Sequence, residues 1–340
     1  MRLRGPHPLP LFLAIAARVC AGDRARLADV LAGLARYQAL PPALPRPLAP
    51  DVLRVGGVVL RDHGLGKGQP VLVVPSLINP PTVLDLTPAQ SLLGAMAAAG
   101  LRPLMVDWGL PEPLGLGALV AERLLPLLEG LGEPVPVLGY CLGGTLAVAL
   151  TSLAGERASR LALLATPWRF SGYEETARRQ LSDWWAGAES MASSLGAVPM
   201  ELLQPAFWSL DEAGLVAKFA RLAGLTAEEA DAFALLEDWS NTGAPLALTA
   251  ARELAGALFA EDRPGHGLWE VGGERADPAR IAGPVLDIIA SRDRIVPPAA
   301  ALSTTGIGVP LGMAAGHVGM IVGRQAPAML WAPLTGFLRG

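Results

Sequence analysis

Residues 134–155 read PVPVLGYCLGGTLAVALTSLAG. The first seven form an apolar run suited to a buried strand, and from Thr145 the apolar residues continue as a helix that closes on Gly155. Between them stands Gly139-Tyr140-Cys141-Leu142-Gly143-Gly144. Strand, G-x-C-x-G and helix in that order make the sharp turn that lifts a nucleophile above a sheet, with cysteine where serine usually stands. The glycines have a steric reason, because only residues without a Cβ let strand and helix approach so closely around a strained residue. The thiol then sits at a helix N-terminus, whose partial positive charge favours thiolate. The backbone N–H of Leu142 is placed to receive an oxyanion. The competing reading makes Cys141 a small buried residue, the common fate of free cysteine; the flanking strand and helix favour the nucleophile.

Outward from this stretch, strands and helices alternate. PVLVVPS (70–76), RPLMVDW (102–108), RLALLATP (160–167) and GPVLDIIAS (283–291) are short apolar runs bounded by turn residues, with a weaker strand pattern around Gly306–Leu311. SLLGAMAAAG (91–100) and Leu119–Leu131 are helical, and DVLRVGGVVL predicts a strand with a Gly-Gly interruption. Such alternation predicts a parallel sheet covered on both faces. From Trp168 to about Trp269 the pattern becomes mostly helical, and six of the eight tryptophans lie there. The expected architecture is an α/β-hydrolase fold, a mostly parallel central sheet with a helical cap insertion. The expected parts are an N-terminal helical segment (1–50), the first part of the core (51–167), the cap (168–280) and the second part of the core (281–340). The cap tryptophans either line a tunnel, form an outward-facing apolar surface, or are ordinary helical core.

A cysteine in such a turn needs a base and an orienting acid, which in this fold follow it, acid first. His317 lies in AAGHVGMIVG, a Gly-flanked loop before the last helix, and Asp293 lies in SRDRIVPP, the loop leaving the 283–291 strand. Asp293 is the expected acid, since Asp287 falls inside the strand and points into sheet packing. A carboxylate at Asp293 would fix the imidazole tautomer and stabilise the imidazolium. His266, His63 and His7 read as surface or loop residues. The second oxyanion donor is expected after the 70–76 strand, from the backbone N–H of Leu77 or Ile78.

The chain has 340 residues, 51% of them hydrophobic and 17% charged, with a net charge of −4. That composition marks an ordered globular chain. It carries no basic run of the kind nucleic acid requires. Two uncharged stretches, 134–155 and 301–323, are broken by Gly, Pro and polar residues and read as buried core rather than transmembrane segments. The N-terminal MRLRGPHPLPLFLAIAARVCAG imitates a signal peptide, but its apolar spacing runs on through Leu27, Val30, Leu31, Leu34 and Tyr37 as an amphipathic helix. Cys20 and Cys141 are the two cysteines. They make neither a disulfide framework nor a metal motif, so a reducing, cytoplasmic setting is expected. No metal or organic cofactor is expected, for want of HExxH, paired cysteines or GxGxxG.

Connected blocks resemble those of the polyhydroxyalkanoate synthases. They are VLVVPSLINPPTVLDLTPAQSL (71–92), MVDWGLPEP (105–113), VLGYCLGGTLA (137–147), LLATPWRF (163–170), EDWSNTGAP (237–245), SRDRIVPP (291–298) and GHVGMIVG (316–323). The resemblance spans about residues 50–325 and puts Cys141, Asp293 and His317 on that family's catalytic positions. It implies polymerisation of (R)-3-hydroxyacyl-CoA, the chain growing as a thioester on the cysteine with release of CoA. His317 would activate the thiol, and with Asp293 the 3-hydroxyl of the incoming unit. In length the chain is closest to the short subunits that work with a second protein. A second synthase subunit or a homodimer, and a polyester granule surface, are the partners the resemblance implies. A thiolate exchanges one thioester for another at nearly level energy, which favours acyl transfer over hydrolysis. The same three residues also serve a thioesterase, an esterase or a polyester hydrolase. A non-catalytic binding protein on the same fold is the third reading.

Overall fold

The computed structural model describes residues 4–42 and 46–340. They fall into two compact units, a helical one from residues up to 47, 78–80 and 198–245, and a sheet-centred one from 48–77, 81–197 and 246–340.

The sheet unit is built on β1 (Asp51–Val55), β2 (Val58–Asp62), β3 (Gln69–Val74), β4 (Leu101–Asp107), β5 (Val135–Tyr140), β6 (Ala158–Leu164), β7 (Val285–Ala290) and β8 (Val309–Met313). They lie in the order β1-β2-β4-β3-β5-β6-β7-β8. Only β2 runs against the others; the pairings from β4 through β8 are all parallel. All six residues of β5 and Val71–Val74 of β3 are buried, as a strand covered on both faces requires. The Gly-Gly expected as an interruption is the turn of a β1–β2 hairpin instead. Val55 pairs with Val58, and Gly56 takes a φ of 59°, the positive φ that a two-residue hairpin turn favours.

From β3 the chain goes to one side as β4 and returns on the other as β5. Strand order reverses there, which opens a crevice at the carboxyl ends of β3 and β5. The turn leaving β5 is packed to contact. A Cβ on Gly139 would come within 2.4 Å of Gly144 Cα, and one on Gly143 within 2.2 Å of the Pro75 carbonyl oxygen. One on Gly144 would lie 1.9 Å from Oγ1 of the buried Thr166.

Part of the helical insertion belongs to this unit. Trp168 and Trp269 are buried with ring centroids 6.1 Å apart. The helix Glu175–Leu195 is tied to the π-helix Leu254–Ala260 by Arg178 Nε donating to the Phe259 carbonyl (2.9 Å). Trp184 and Trp185 lie side by side and half-buried on that helix.

The helical unit assembles Leu9–Val19, Arg24–Ala39, Met200–Ser209, Glu212–Leu222 and Ala227–Ser240 around an aromatic core. Phe219 meets Phe12 (4.7 Å), Tyr37 (5.9 Å) and Phe233 (5.3 Å), separations at which tilted aromatic pairs attract. The Tyr37 hydroxyl donates to Asp238 Oδ1 (2.6 Å), and Arg4 pairs with the same carboxylate. Of the N-terminal amphipathic pattern, Val30, Leu34 and Tyr37 are buried while Leu31 is exposed.

The compact units thus divide the chain at other places than the change in composition suggests. Residues 168–197 and 246–280 pack with the sheet, and the N-terminal helices pack with 198–245 because both contribute to one aromatic core. Among the described residues no helix is long and apolar enough to cross a membrane.

Gly144→Ala must push Thr166 aside in a site with no free volume. It is expected to lower unfolding stability by about 1–3 kcal/mol, read as a fall in the urea midpoint at unchanged slope. An unaltered midpoint would contradict the packing described.

Candidate active site

Cys141 follows β5 and precedes the helix Leu142–Ala154. Its backbone sits at φ 54°, ψ −130°, a conformation that costs energy for any residue with a Cβ and persists only where its surroundings enforce it. The enforcing bonds are Cys141 N–H to the Leu164 carbonyl (3.0 Å) and Gly144 N–H to the Cys141 carbonyl (2.9 Å). Leu142 opens the helix, so its N–H is among those for which a helix supplies no acceptor. Leu77 ends the loop after β3 within the sheet unit, and Trp108 Nε1 braces that loop by donating to the Pro75 carbonyl (3.2 Å). Ile78 is grouped with the helical unit, its carbonyl turned to Gly243. Of the two expected donors, only Leu77 therefore shares a unit with Cys141.

Asp293 and His317 come from the loops after β7 and β8. Asp293 Oδ1 accepts from the backbone N–H groups of Ile295 (2.7 Å) and Val296 (2.9 Å). That leaves Oδ2 for His317 Nδ1 at 2.6 Å, and both side chains are buried. With Nδ1 engaged, the other ring nitrogen is the one available to Cys141, whose side chain interacts electrostatically with the imidazole. Burial favours neutral imidazole, but the charge of Cys141, the hydrogen bonds from Asp293 and Cys141, and the carboxylate charge together push His317 up to about 10. A thiol, an imidazole and a carboxylate in one chain can pass a proton from sulfur to nitrogen and hold the resulting ion pair.

Asp287 lies inside β7, fully buried. Its Oδ2 accepts from Ser303 N–H (2.8 Å), Oδ1 has no partner, and burial pushes its carboxyl above the ordinary carboxylate range. His63 lies 3.5 Å from Asp85, and His266 is exposed with Nδ1 3.1 Å from the Glu261 carbonyl. His7 belongs to the helical unit, its backbone N–H donating to Asn241 Oδ1 (2.9 Å).

Tyr140 joins the site and Tyr173 feels its charge, neither having been singled out from the sequence. The Tyr140 ring stacks on the His317 imidazole, with centroids 5.2 Å apart and planes at 29°, and its hydroxyl lies 3.5 Å from the His317 carbonyl oxygen. Tyr173 packs against Phe170 and Phe259. Both phenols are pushed well above the ordinary tyrosine value by removal from water, and then by the charges of Cys141 and Asp293. Tyr140 had a signal, its place beside the cysteine; Tyr173 had none.

Sheet order and the strand-turn-helix at Cys141 define an α/β-hydrolase fold. Solved structures agree. BpoC of Mycobacterium tuberculosis, named for a non-heme bromoperoxidase, matches 84% of this chain and 98% of its own at a TM-score of 0.54 and 18% identity. A structure from work on carboxylesterases of Nitrososphaera gargenis matches 85% and 98% at 0.54 and 16% identity. At such identities they speak for the fold alone. No protein-family model matches the chain. In sequence it is similar to the poly(3-hydroxyalkanoate) polymerase subunit PhaC of Haloferax mediterranei, 25% identical over 280 residues, which are 77% of this chain and 57% of the relative. For the subunit of Haloarcula marismortui the values are 24% over 279 residues, 77% and 59%. For that of Allochromatium vinosum they are 26% over 287 residues, 78% and 80%. The match thus spans under two thirds of the length of the two haloarchaeal relatives. By these likenesses the chain is similar to poly(3-hydroxyalkanoate) polymerase subunits over about three quarters of its length.

A histidine raised on folding stabilises the fold fully below its unfolded value, about 6.5, and that contribution is lost as pH rises through about 10. Urea unfolding of the wild type and His317→Gln at pH 6, 8 and 10 should therefore show a gap in favour of the wild type that closes with rising pH. A gap that is constant or widens would contradict the charge pairing around His317.

Proposed function

We propose that the chain is an acyltransferase that polymerises (R)-3-hydroxyacyl-CoA through a thioester on Cys141. The observation that carries this reading is His317 between Asp293 and Cys141, the cysteine held at positive φ at the head of a helix. The likeness to polymerase subunits supplies the substrate class.

The chemistry follows from the proton path. The Cys141 thiolate attacks the thioester carbonyl while the developing oxyanion takes hydrogen bonds from the Leu142 N–H and the Leu77 N–H. The carbonyl re-forms, the CoA sulfur leaves, and His317 protonates it. His317, now neutral at the nitrogen facing Cys141, takes the proton of a 3-hydroxyl, which attacks the acyl-cysteine carbonyl. A new ester forms, the Cys141 thiolate is released, and the proton stays on His317 for the next round. Asp293 holds the tautomer throughout and balances the imidazolium. Exchange between two thioesters is nearly level in energy, so the acyl group stays activated for transfer. Stacking by Tyr140 keeps the imidazole plane fixed between its partners. A granule surface, a second synthase subunit or a second copy of this chain are the partners proposed with this activity.

The purified chain, incubated with (R)-3-hydroxybutyryl-CoA, is expected to release CoA and to form ester-linked oligomer or polymer. Cys141→Ala should reduce release by at least about a thousandfold. Release of CoA with free 3-hydroxybutyrate as the sole product would make the chain a thioesterase. Undiminished release by Cys141→Ala would remove the cysteine from the mechanism.

A further inference from the structure

At the carboxyl ends of β7 and β8, beside the loop that carries His317, the sheet unit contains a cavity of about 480 Å³. Gly316 and Gly319, on either side of His317, are part of its wall, with Met313 and Met329 as apolar surface. Its charged lining residues are Arg292 and Arg324, and no carboxylate lines it. Arg292 is fixed by one terminal guanidinium nitrogen donating to the Ala314 carbonyl and by its backbone N–H to the Ala315 carbonyl. Arg324 is exposed and has no hydrogen-bond or ion-pair partner among the described residues.

Two guanidinium groups in one concavity, uncompensated by acid, repel each other and attract an anion. Guanidinium forks match phosphate oxygens in particular. Volume and lining are those of a small-molecule site, mostly apolar with a few polar groups that set orientation. It lies at the carboxyl ends of β7 and β8, on the same edge of the sheet as the crevice between β3 and β5. The ligand suited to it is amphipathic, phosphorylated at one end, with a flat or aliphatic part for the methionine wall.

We propose that this cavity anchors the phosphorylated nucleotide end of the acyl-CoA, with Arg292 and Arg324 as the phosphate-binding residues. This rests on the acyl-CoA reading above. Because Gly316 and Gly319 of its wall flank His317 in sequence, phosphate anchoring here would hold the acyl-CoA beside the loop that carries the imidazole.

The test uses adenosine 3′,5′-bisphosphate, the phosphorylated nucleoside without thiol or acyl group, in a calorimetric titration of the full chain. Saturable binding that Arg324→Glu weakens by about tenfold or more, and that Arg157→Glu on the exposed surface leaves unchanged, supports the proposal. In kinetics, Arg324→Glu should raise KM for 3-hydroxybutyryl-CoA. It should also lower kcat/KM for that substrate about tenfold relative to the N-acetylcysteamine thioester, which has no nucleotide. Turnover of acyl-CoA by the wild type with neither effect in Arg324→Glu overturns the cavity assignment and leaves the transferase reading standing. Bisphosphate binding lost in Arg324→Glu, with no thioester turnover by the wild type, overturns the transferase reading and leaves a nucleotide site. Equal weakening by inorganic phosphate and by the bisphosphate in competition would reduce the cavity to a simple anion site and overturn the proposal.

Discussion

The rest of the site depends on how closely the backbone turns after β5. Gly139 and Gly144 bring strand and helix into contact, Gly143 meets the loop after β3, and Gly144 rests on Thr166. Under those constraints Cys141 has no room to relax from φ 54°. The strain is local, while the packing that sustains it spans three segments of the sheet unit. This is how a fold maintains an unfavourable backbone conformation at one residue.

The electrostatics are layered on that scaffold. Two backbone N–H groups take one oxygen of Asp293, so the carboxylate has a single direction in which to meet the histidine. Burial alone would leave the imidazole neutral; a sulfur charge on one side and a carboxylate on the other reverse the balance. Tyr140 then limits rotation of the ring from a third side. Strand order places these parts on adjoining loops. β5, β7 and β8 all run in the same direction, so Cys141, Asp293 and His317 emerge at the same edge of the sheet.

Much of this was legible in the sequence because it depends on short-range rules. A buried parallel strand is a short apolar run, and a strand-turn-helix with glycines at fixed offsets is read from ten residues. The order of acid and histidine follows from the fold. What escaped was non-local. The Gly56-Gly57 pair looks the same inside a strand as in a hairpin, until pairing of Val55 with Val58 decides it. The helical stretch after Trp168 has uniform composition, yet its residues pack with two different cores. Nothing local to Phe219 tells that it meets Phe12 and Tyr37, some two hundred residues away in sequence.

The central claim is that Cys141 carries the acyl group. The direct measurement is the intact mass of the chain after brief exposure to (R)-3-hydroxybutyryl-CoA and acid quench, followed by peptide mapping. The account predicts hydroxyacyl additions on the peptide containing Cys141, removed by neutral hydroxylamine and absent from the buried Cys20. CoA release during turnover with Cys141 unmodified at every quench time, or an acyl group mapped to another residue, would contradict it.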